Sequence, residues 1–165
     1  MSRRGRPSPA GTRVHEQATQ HASPLGRSTS TTDGSVAWRT TAPDTAGVPL
    51  GLATAGEVAY LNTGLQLIRI DPVTGATPWG VTLQDGAPML PFRATPAIVD
   101  GGVVVGTTDV MNTASLVAVS DTGTELWRSP TELYGAILSP VVLGGRVSAP
   151  AAGLTDGGLL TFGSP

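Results

Sequence analysis

The chemistry open to this chain is set by what stands beside its carboxylates. Of twelve Asp and Glu residues, all but Glu16 follow residue 32, a region with no histidine, lysine or cysteine. Without histidine a Ser-His-Asp relay cannot be assembled there. Without lysine there is neither a Schiff-base amine nor a Gly-x-x-x-x-Gly-Lys loop for phosphate. The absence of cysteine removes thiolate metal sites, thiol nucleophiles and disulfides. Paired carboxylates remain open as general acid and base. Several of the acidic residues, however, stand in turn sequences such as Asp33-Gly34, Asp85-Gly86, Asp100-Gly101 and Asp156-Gly157. Turn chemistry accounts for those without a catalytic role. Asp109 and Asn112 are the one carboxylate–amide pair close together in a loop, and two oxygens fall short of the roughly six to eight that calcium takes. His15 and His21 have only Glu16 near them, short of a metal set. No residue is therefore nominated as catalytic, cofactor-binding or metal-ligating, and no cofactor is expected.

The elements that would position any site come from one pattern written three times. Gly51-Leu-Ala-Thr-Ala-Gly56-Glu-Val-Ala-Tyr60, Pro96-Ala-Ile-Val-Asp-Gly101-Gly-Val-Val-Val105 and Pro140-Val-Val-Leu-Gly-Gly145-Arg-Val-Ser-Ala149 align without a gap. Their glycines at 56, 101 and 145 give a repeat of about 45 residues, the length of a four-stranded propeller blade. Two copies run on to a turn and a tryptophan: Asp71-Pro-Val-Thr-Gly75-Ala-Thr-Pro-Trp79 and Ser120-Asp-Thr-Gly123-Thr-Glu-Leu-Trp127. In the first turn Pro72 sets φ and Gly75 can take the positive φ that closes a hairpin. The Asp71 carboxylate can accept from turn amides. Trp79 and Trp127 are large, flat side chains able to fill the space between one sheet and the next, and Trp38 is read as the same element of a preceding unit.

Alternation and β-branched content place a strand at 35–40, then strands near 51–55, 57–61, 65–71 and 77–83. The second unit predicts strands near 94–99, 102–107, 114–120 and 125–129, and the third near 138–143, 146–150 and 158–162. Gly (22) and Pro (14) are spread between these runs, as in an all-β, turn-dense chain. No run is long or apolar enough to span a bilayer as a helix.

The turn Asp71-x-x-Thr74-Gly75-x-x-x-Trp79 resembles the tryptophan-docking signature of the pyrroloquinoline-quinone-type repeat, the unit of quinoprotein propellers. Thr95 to Gly106, onward through Leu116-Val-Ala-Val and Gly123-Thr-Glu-Leu-Trp127, is similar to a full copy, and the resemblance covers about 34–163. The second turn departs from the pattern, being one residue short with Ser120 in place of Asp, and Asp109–Asn112 is inserted. The resemblance implies an incomplete β-propeller of four-stranded antiparallel blades. The expected units are an outer strand at 33–40, blades at 50–84 and 93–130, and a partial blade at 137–163. Quinoprotein dehydrogenases of the family add a metal bound by Glu, Asn and Asp, a catalytic Asp and often adjacent cysteines. Glu57, Glu125 and Glu132 fall in no such motif. Other members resemble outer-membrane assembly lipoproteins and sensor domains of bacterial surface proteins, which present loops and blade edges to partners.

Residues 1–32 are physically different. They hold five of the ten arginines and one acidic residue, with apolar residues scattered and without period. They read as a disordered tail, with no continuous apolar run of the kind a secretory signal needs. Five arginines without an aromatic make a poor nucleic-acid arm, and the acidic balance of the rest argues against nucleic acid there. The resemblance implies an extracytoplasmic location.

About three blades compare with the four to eight of typical propellers, so the expectation is a section of a larger ring. If strand 35–40 is unpaired, two copies exchanging it would close a six-bladed homodimer. The function expected is a non-catalytic binding or scaffolding module with a protein or cell-envelope partner. The alternative is a section of a quinone-dependent alcohol or sugar dehydrogenase.

Overall fold

The computed structural model describes residues 24–29, 35–41, 47–84, 94–109, 111, 113–153 and 157–163. Every regular element among them is a β-strand, and every pairing is antiparallel. Strands β1 (Pro24–Thr29) and β2 (Val36–Thr41) form a two-stranded sheet. Blade 1 is a four-stranded sheet of β3 (Gly47–Ala55), β4 (Val58–Gly64), β5 (Gln66–Ile70) and β6 (Trp79–Thr82), in that order. Blade 2 continues with β7 (Ala97–Val99), β8 (Gly102–Thr108), β9 (Thr113–Ser120) and the first part of β10 (Glu125–Ile137). Blade 3 is built from the end of β10, β11 (Val141–Leu143), β12 (Arg146–Gly153) and β13 (Gly157–Phe162). Blades 1 and 2 are four strands wide, while in blade 3 β11 and the end of β10 share one edge of β12 and β13 takes the other; these stacked antiparallel units make an all-β, partial β-propeller fold.

Alternation explains the stacking, because residues i and i+2 share a face. On β8 and β9, Val103, Val105, Val117 and Val119 meet Tyr60, Leu67 and Leu83 of blade 1. The intervening Val104, Ala114, Leu116 and Ala118 meet Ile137 and Ala149, with Val147, Leu160 and Phe162 packed beside them. Blade 2 is thus apolar on both faces, as a strand buried on both sides must be. On the near side of blade 1, Ala59, Leu61, Ile68 and Ile70 receive Trp38 from β2.

Three expectations change. First, residues 24–29, assigned to a disordered tail, form β1 and pair with β2 from Pro24↔Thr41 to Thr29↔Val36. Strand 35–40 is therefore paired along one edge within its own chain. The rest of that tail, with His15, Glu16 and His21, lies outside the described residues. Second, the turn between the first two strands of each blade is Gly56-Glu57, Asp100-Gly101 and Gly144-Gly145, closed by Ala55↔Val58, Val99↔Gly102 and Leu143↔Arg146. Structural equivalents are thus 56, 100 and 144, one residue off the glycine alignment in the first unit. In a strand such a slip exchanges the two faces, so Tyr60 corresponds to Val104 and Ser148, not to Val105 and Ala149.

Third, the outer strand of blade 2 does not stop at 129. β10 pairs with β9 as far as Tyr134, with a register shift after Pro130. Gly135, Ala136 and Ile137 then pair with Gly153, Ala152 and Ala151 of β12. One strand thus serves two blades. The irregularity beside Pro130, which has no N–H to give a ladder, is the kind of place a bend is tolerated.

Candidate functional site

Two inter-blade junctions are built alike. At the turn after β5, Asp71 Oδ1 accepts from the N–H of Val73 at 2.8 Å and of Thr74 at 3.1 Å. The Asp71 carbonyl accepts from Gly75 N, and its own N–H donates to the Ala76 carbonyl, both at 2.8 Å. These two side-chain bonds, Thr74 first and Val73 second, hold the Asp71 carboxyl below its ordinary pKa. Gly75 at φ 74° is buried directly beneath the Trp38 indole, whose Nε1 donates to the Pro72 carbonyl at 2.9 Å. The turn after β9 reaches the same end with different chemistry. Ser120 Oγ accepts from Thr124 N at 3.0 Å, Gly123 stands at φ 87°, and Trp79 lies over it. The Trp79 Nε1 donates to the Asp121 carbonyl at 3.0 Å, and its ring centroid is 5.8 Å from that of Tyr60 at a 42° tilt. Burial pushes the Tyr60 phenol up, against the opposing charge of Arg69.

Side-chain bonds also tie blade to blade. Buried Asn62 donates from Nδ2 to the Ala94 carbonyl at 2.9 Å and accepts from Gly64 N at 2.8 Å. Ser139 Oγ accepts from Thr95 N at 2.9 Å, and Thr107 Oγ1 donates to Gln84 Oε1 at 3.2 Å. None of the three inter-blade links, Asn62–Ala94, Thr95–Ser139 and Thr107–Gln84, was read from the sequence. An isolated Asn or Thr in an apolar strand carries no local sign of its partner some tens of residues away.

The acidic residues weighed for chemistry are dispersed. Asp109 accepts at Oδ1 from the N–H of Met111 and of Thr113, each at 2.8 Å, which is turn closure. Asn112 lies outside the described residues. Glu125 is exposed and bridges Arg128 at 2.7 Å, Glu132 is exposed, and Glu57 occupies the exposed turn between β3 and β4. Among the described residues no three His, Cys, Asp or Glu side chains gather where a metal ion could be held. No helix among them is long and apolar enough to cross a membrane.

The third tryptophan stands apart. Trp127 occupies the register of Trp79, four residues past its turn glycine, yet it is 39% exposed. It borders a cavity of about 950 Å³ between blades 2 and 3, walled by Val99, Val104, Ala118, Val142, Val147 and Phe162. The opening has a side-chain cause. Where blade 1 presents Tyr60 paired with Arg69, blade 2 presents Val104 paired with Ala118, so less of the space is filled. Beyond it the far face of blade 3 exposes Val141, Leu143 and Leu159, the last two at 80% and 67%.

Solved structures similar to the chain include a europium-containing methanol dehydrogenase, at 20% identity and TM-score 0.45, covering 59% of this chain and 19% of that one. BamB from Moraxella catarrhalis is similar at 14% identity and TM-score 0.32, covering 70% and 46%. The computationally designed Ika4 protein is similar at 13% identity and TM-score 0.35, covering 70% and 91%. The chain thus spans less than half the length of the first two. No curated protein matches it. The family model described as outer membrane protein assembly factor BamB matches residues 23–162. With its stacked four-stranded blades and tryptophan-covered turns, the chain belongs to that family of quinoprotein-type propeller repeats.

Proposed function

We propose that this chain is a non-catalytic binding or scaffolding module that presents blade faces and turns to a protein partner. The observation that carries the reading is the contrast between its polar and apolar groups. Asp71, Asp109, Ser120 and the Glu125–Arg128 pair are engaged in turns and local contacts. Large apolar side chains instead stand in solvent on blade 3 and beside Trp127. Exposed apolar area on a rigid sheet marks an association surface. The family description, an outer-membrane assembly factor, supports a protein partner in the cell envelope. The exposed face of blade 3 also fits a module working within a larger ring of blades.

The test is to titrate the full chain with pyrroloquinoline quinone and calcium while recording absorbance and melting temperature, then assay alcohol-dependent dye reduction. Unchanged spectra and melting, with no turnover, are expected. Saturable quinone binding or turnover would replace this reading with the dehydrogenase one.

A further inference from the structure

We infer that the cavity at the turn end of blade 1, between Glu57, Arg69 and Asp71, binds a small zwitterion of the α-amino-acid class. The inference goes beyond the binding-module reading, which concerns a protein partner, and does not depend on it.

The cavity measures about 380 Å³ and is lined by Glu57, Val58, Arg69, Asp71, Val73 and Pro78. That is near the lower end of the roughly 300–1,000 Å³ usual for small-molecule sites. Strand direction brings the three charges together. Glu57 stands in the turn that opens β4, Arg69 is next to last in β5, and Asp71 directly follows β5. The two strands are antiparallel, so the start of β4 lies beside the end of β5, with Tyr60 opposite Arg69. Opposite charges around one cavity would ordinarily pair, and these do not. Among the described residues the one ion pair is Glu125–Arg128, and neither Arg69 nor Glu57 makes a side-chain hydrogen bond. Asp71 spends Oδ1 on the turn amides, which leaves Oδ2 outside those bonds. Arg69 is near enough to help lower the Asp71 carboxyl, after the amides of Thr74 and Val73, without closing on it.

The charged set belongs to blade 1 and not to blade building as such. In the register that matches Tyr60 with Val104, blade 2 holds Gly101, Ala118, Ser120 and Leu126 at the places of Glu57, Arg69, Asp71 and Pro78. Blade 2 thus forms its four strands with none of the three charges.

A guanidinium offers paired N–H donors that match the two oxygens of a carboxylate. Two ionised carboxylates offer acceptors only and suit an ammonium. A simple anion would meet Arg69 but face both carboxylates, and a simple cation would face the guanidinium. An amino acid carries both charges on neighbouring groups and satisfies both ends at once. Val58, Val73 and Pro78 add an apolar wall, which favours an aliphatic side chain.

The probe is L-leucine, titrated into the isotopically labelled full chain while the amide resonances of blade 1 are followed by NMR. Saturable shifts at Glu57, Val58, Arg69 and Val73 are expected. Leucinamide, which lacks the carboxylate, and N-acetyl-leucine, which lacks the ammonium, should each bind on the order of tenfold more weakly or worse. Glu57→Gln, in an exposed turn, should weaken leucine several-fold at unchanged melting temperature while sparing N-acetyl-leucine. Arg69→Gln should bring leucine down to the level of leucinamide. No saturation at on the order of 10 mM leucine would overturn the inference. Equal binding of N-acetyl-leucine would reduce the cavity to an anion site, and equal binding of leucinamide would give it to an amine or a peptide N-terminus; either overturns the inference. So would a leucine affinity that Glu57→Gln leaves unchanged. The quinone titration reads a different ligand, so the two readings fail separately.

Discussion

At Gly75 two requirements coincide, and they separate experimentally. The φ of 74° disfavours any side chain, at a cost of about 1–2 kcal/mol for an L-residue. A Cβ would also stand 2.7 Å from the Trp38 ring. Gly75→Ala should therefore cost more than the backbone term alone, and part of the excess should vanish in a Trp38→Ala background. A coupling of about 0.5–3 kcal/mol in this double-mutant cycle is expected from chemical denaturation; additivity would mean the ring can move aside. Asp71 beside it gives a pH signature. Its carboxyl is held below the ordinary value of 3.8 by the Thr74 and Val73 amides. Such a group contributes its full stabilisation above the ordinary value and loses it as pH falls through the depressed folded one. Melting of wild type and Asp71→Asn should differ most near neutral pH and converge below about pH 4. A difference independent of pH would show that the amide replaces the carboxylate. In the second turn the group that accepts the backbone N–H is the Ser120 hydroxyl, which carries no charge.

At the level of strands, what could be read depended on how local the cause was. Alternation and turn glycines announced most strands of blades 1 and 2, because both signals lie within a few residues. The turn Asp71–Gly75 and the role of Trp79 were also visible, since a turn and the flat side chain after it form a local pattern. β1 was not visible: residues 24–29 are ordered by pairing with β2, a backbone interaction with no apolar period to betray it. The one-residue slip between Gly56 and Asp100 was hidden because glycine can occupy either position of a two-residue turn. The crossing of β10 was hidden because its cause is a contact between distant segments. A Cβ at Gly135 would overlap the Ala152 carbonyl oxygen, and one at Gly106 would press on the Ile137 carbonyl at 2.6 Å. Backbone cannot yield as a flexible side chain can, so Gly135→Ala should unseat β10 from β12. The expected outcome is faster amide exchange throughout β11–β13, with β8 and β9 protected as before. Unchanged protection in blade 3 would show that the strands part slightly without losing their ladder.

Across the whole stack the two blade interfaces are unequal, and that inequality should govern how the molecule opens. Between blades 1 and 2 lie Tyr60, Leu67, Leu83 and four valines, with Trp79 bonded across the junction. Between blades 2 and 3 the buried set includes Ala114, Ala118 and Ala149, and Trp127 bonds nothing across it among the described residues. Stabilisation by burial follows apolar area at about 25 cal/mol per Å², so the second interface is the weaker. In a stacked array stability is the sum of unit and neighbour terms, and regions with fewer buried contacts open below the global free energy. Blade 3 should accordingly exchange its amides through a sub-global opening while blades 1 and 2 stay closed. Leu160→Ala, which thins the second interface only, should widen that gap; Leu67→Ala should narrow it by lowering the stability of blades 1 and 2. Native-state exchange across a denaturant series resolves the two isotherms. If they merge in wild type and stay merged in Leu160→Ala, the blades unfold as one unit, and the open groove at Trp127 has no energetic consequence for the stack.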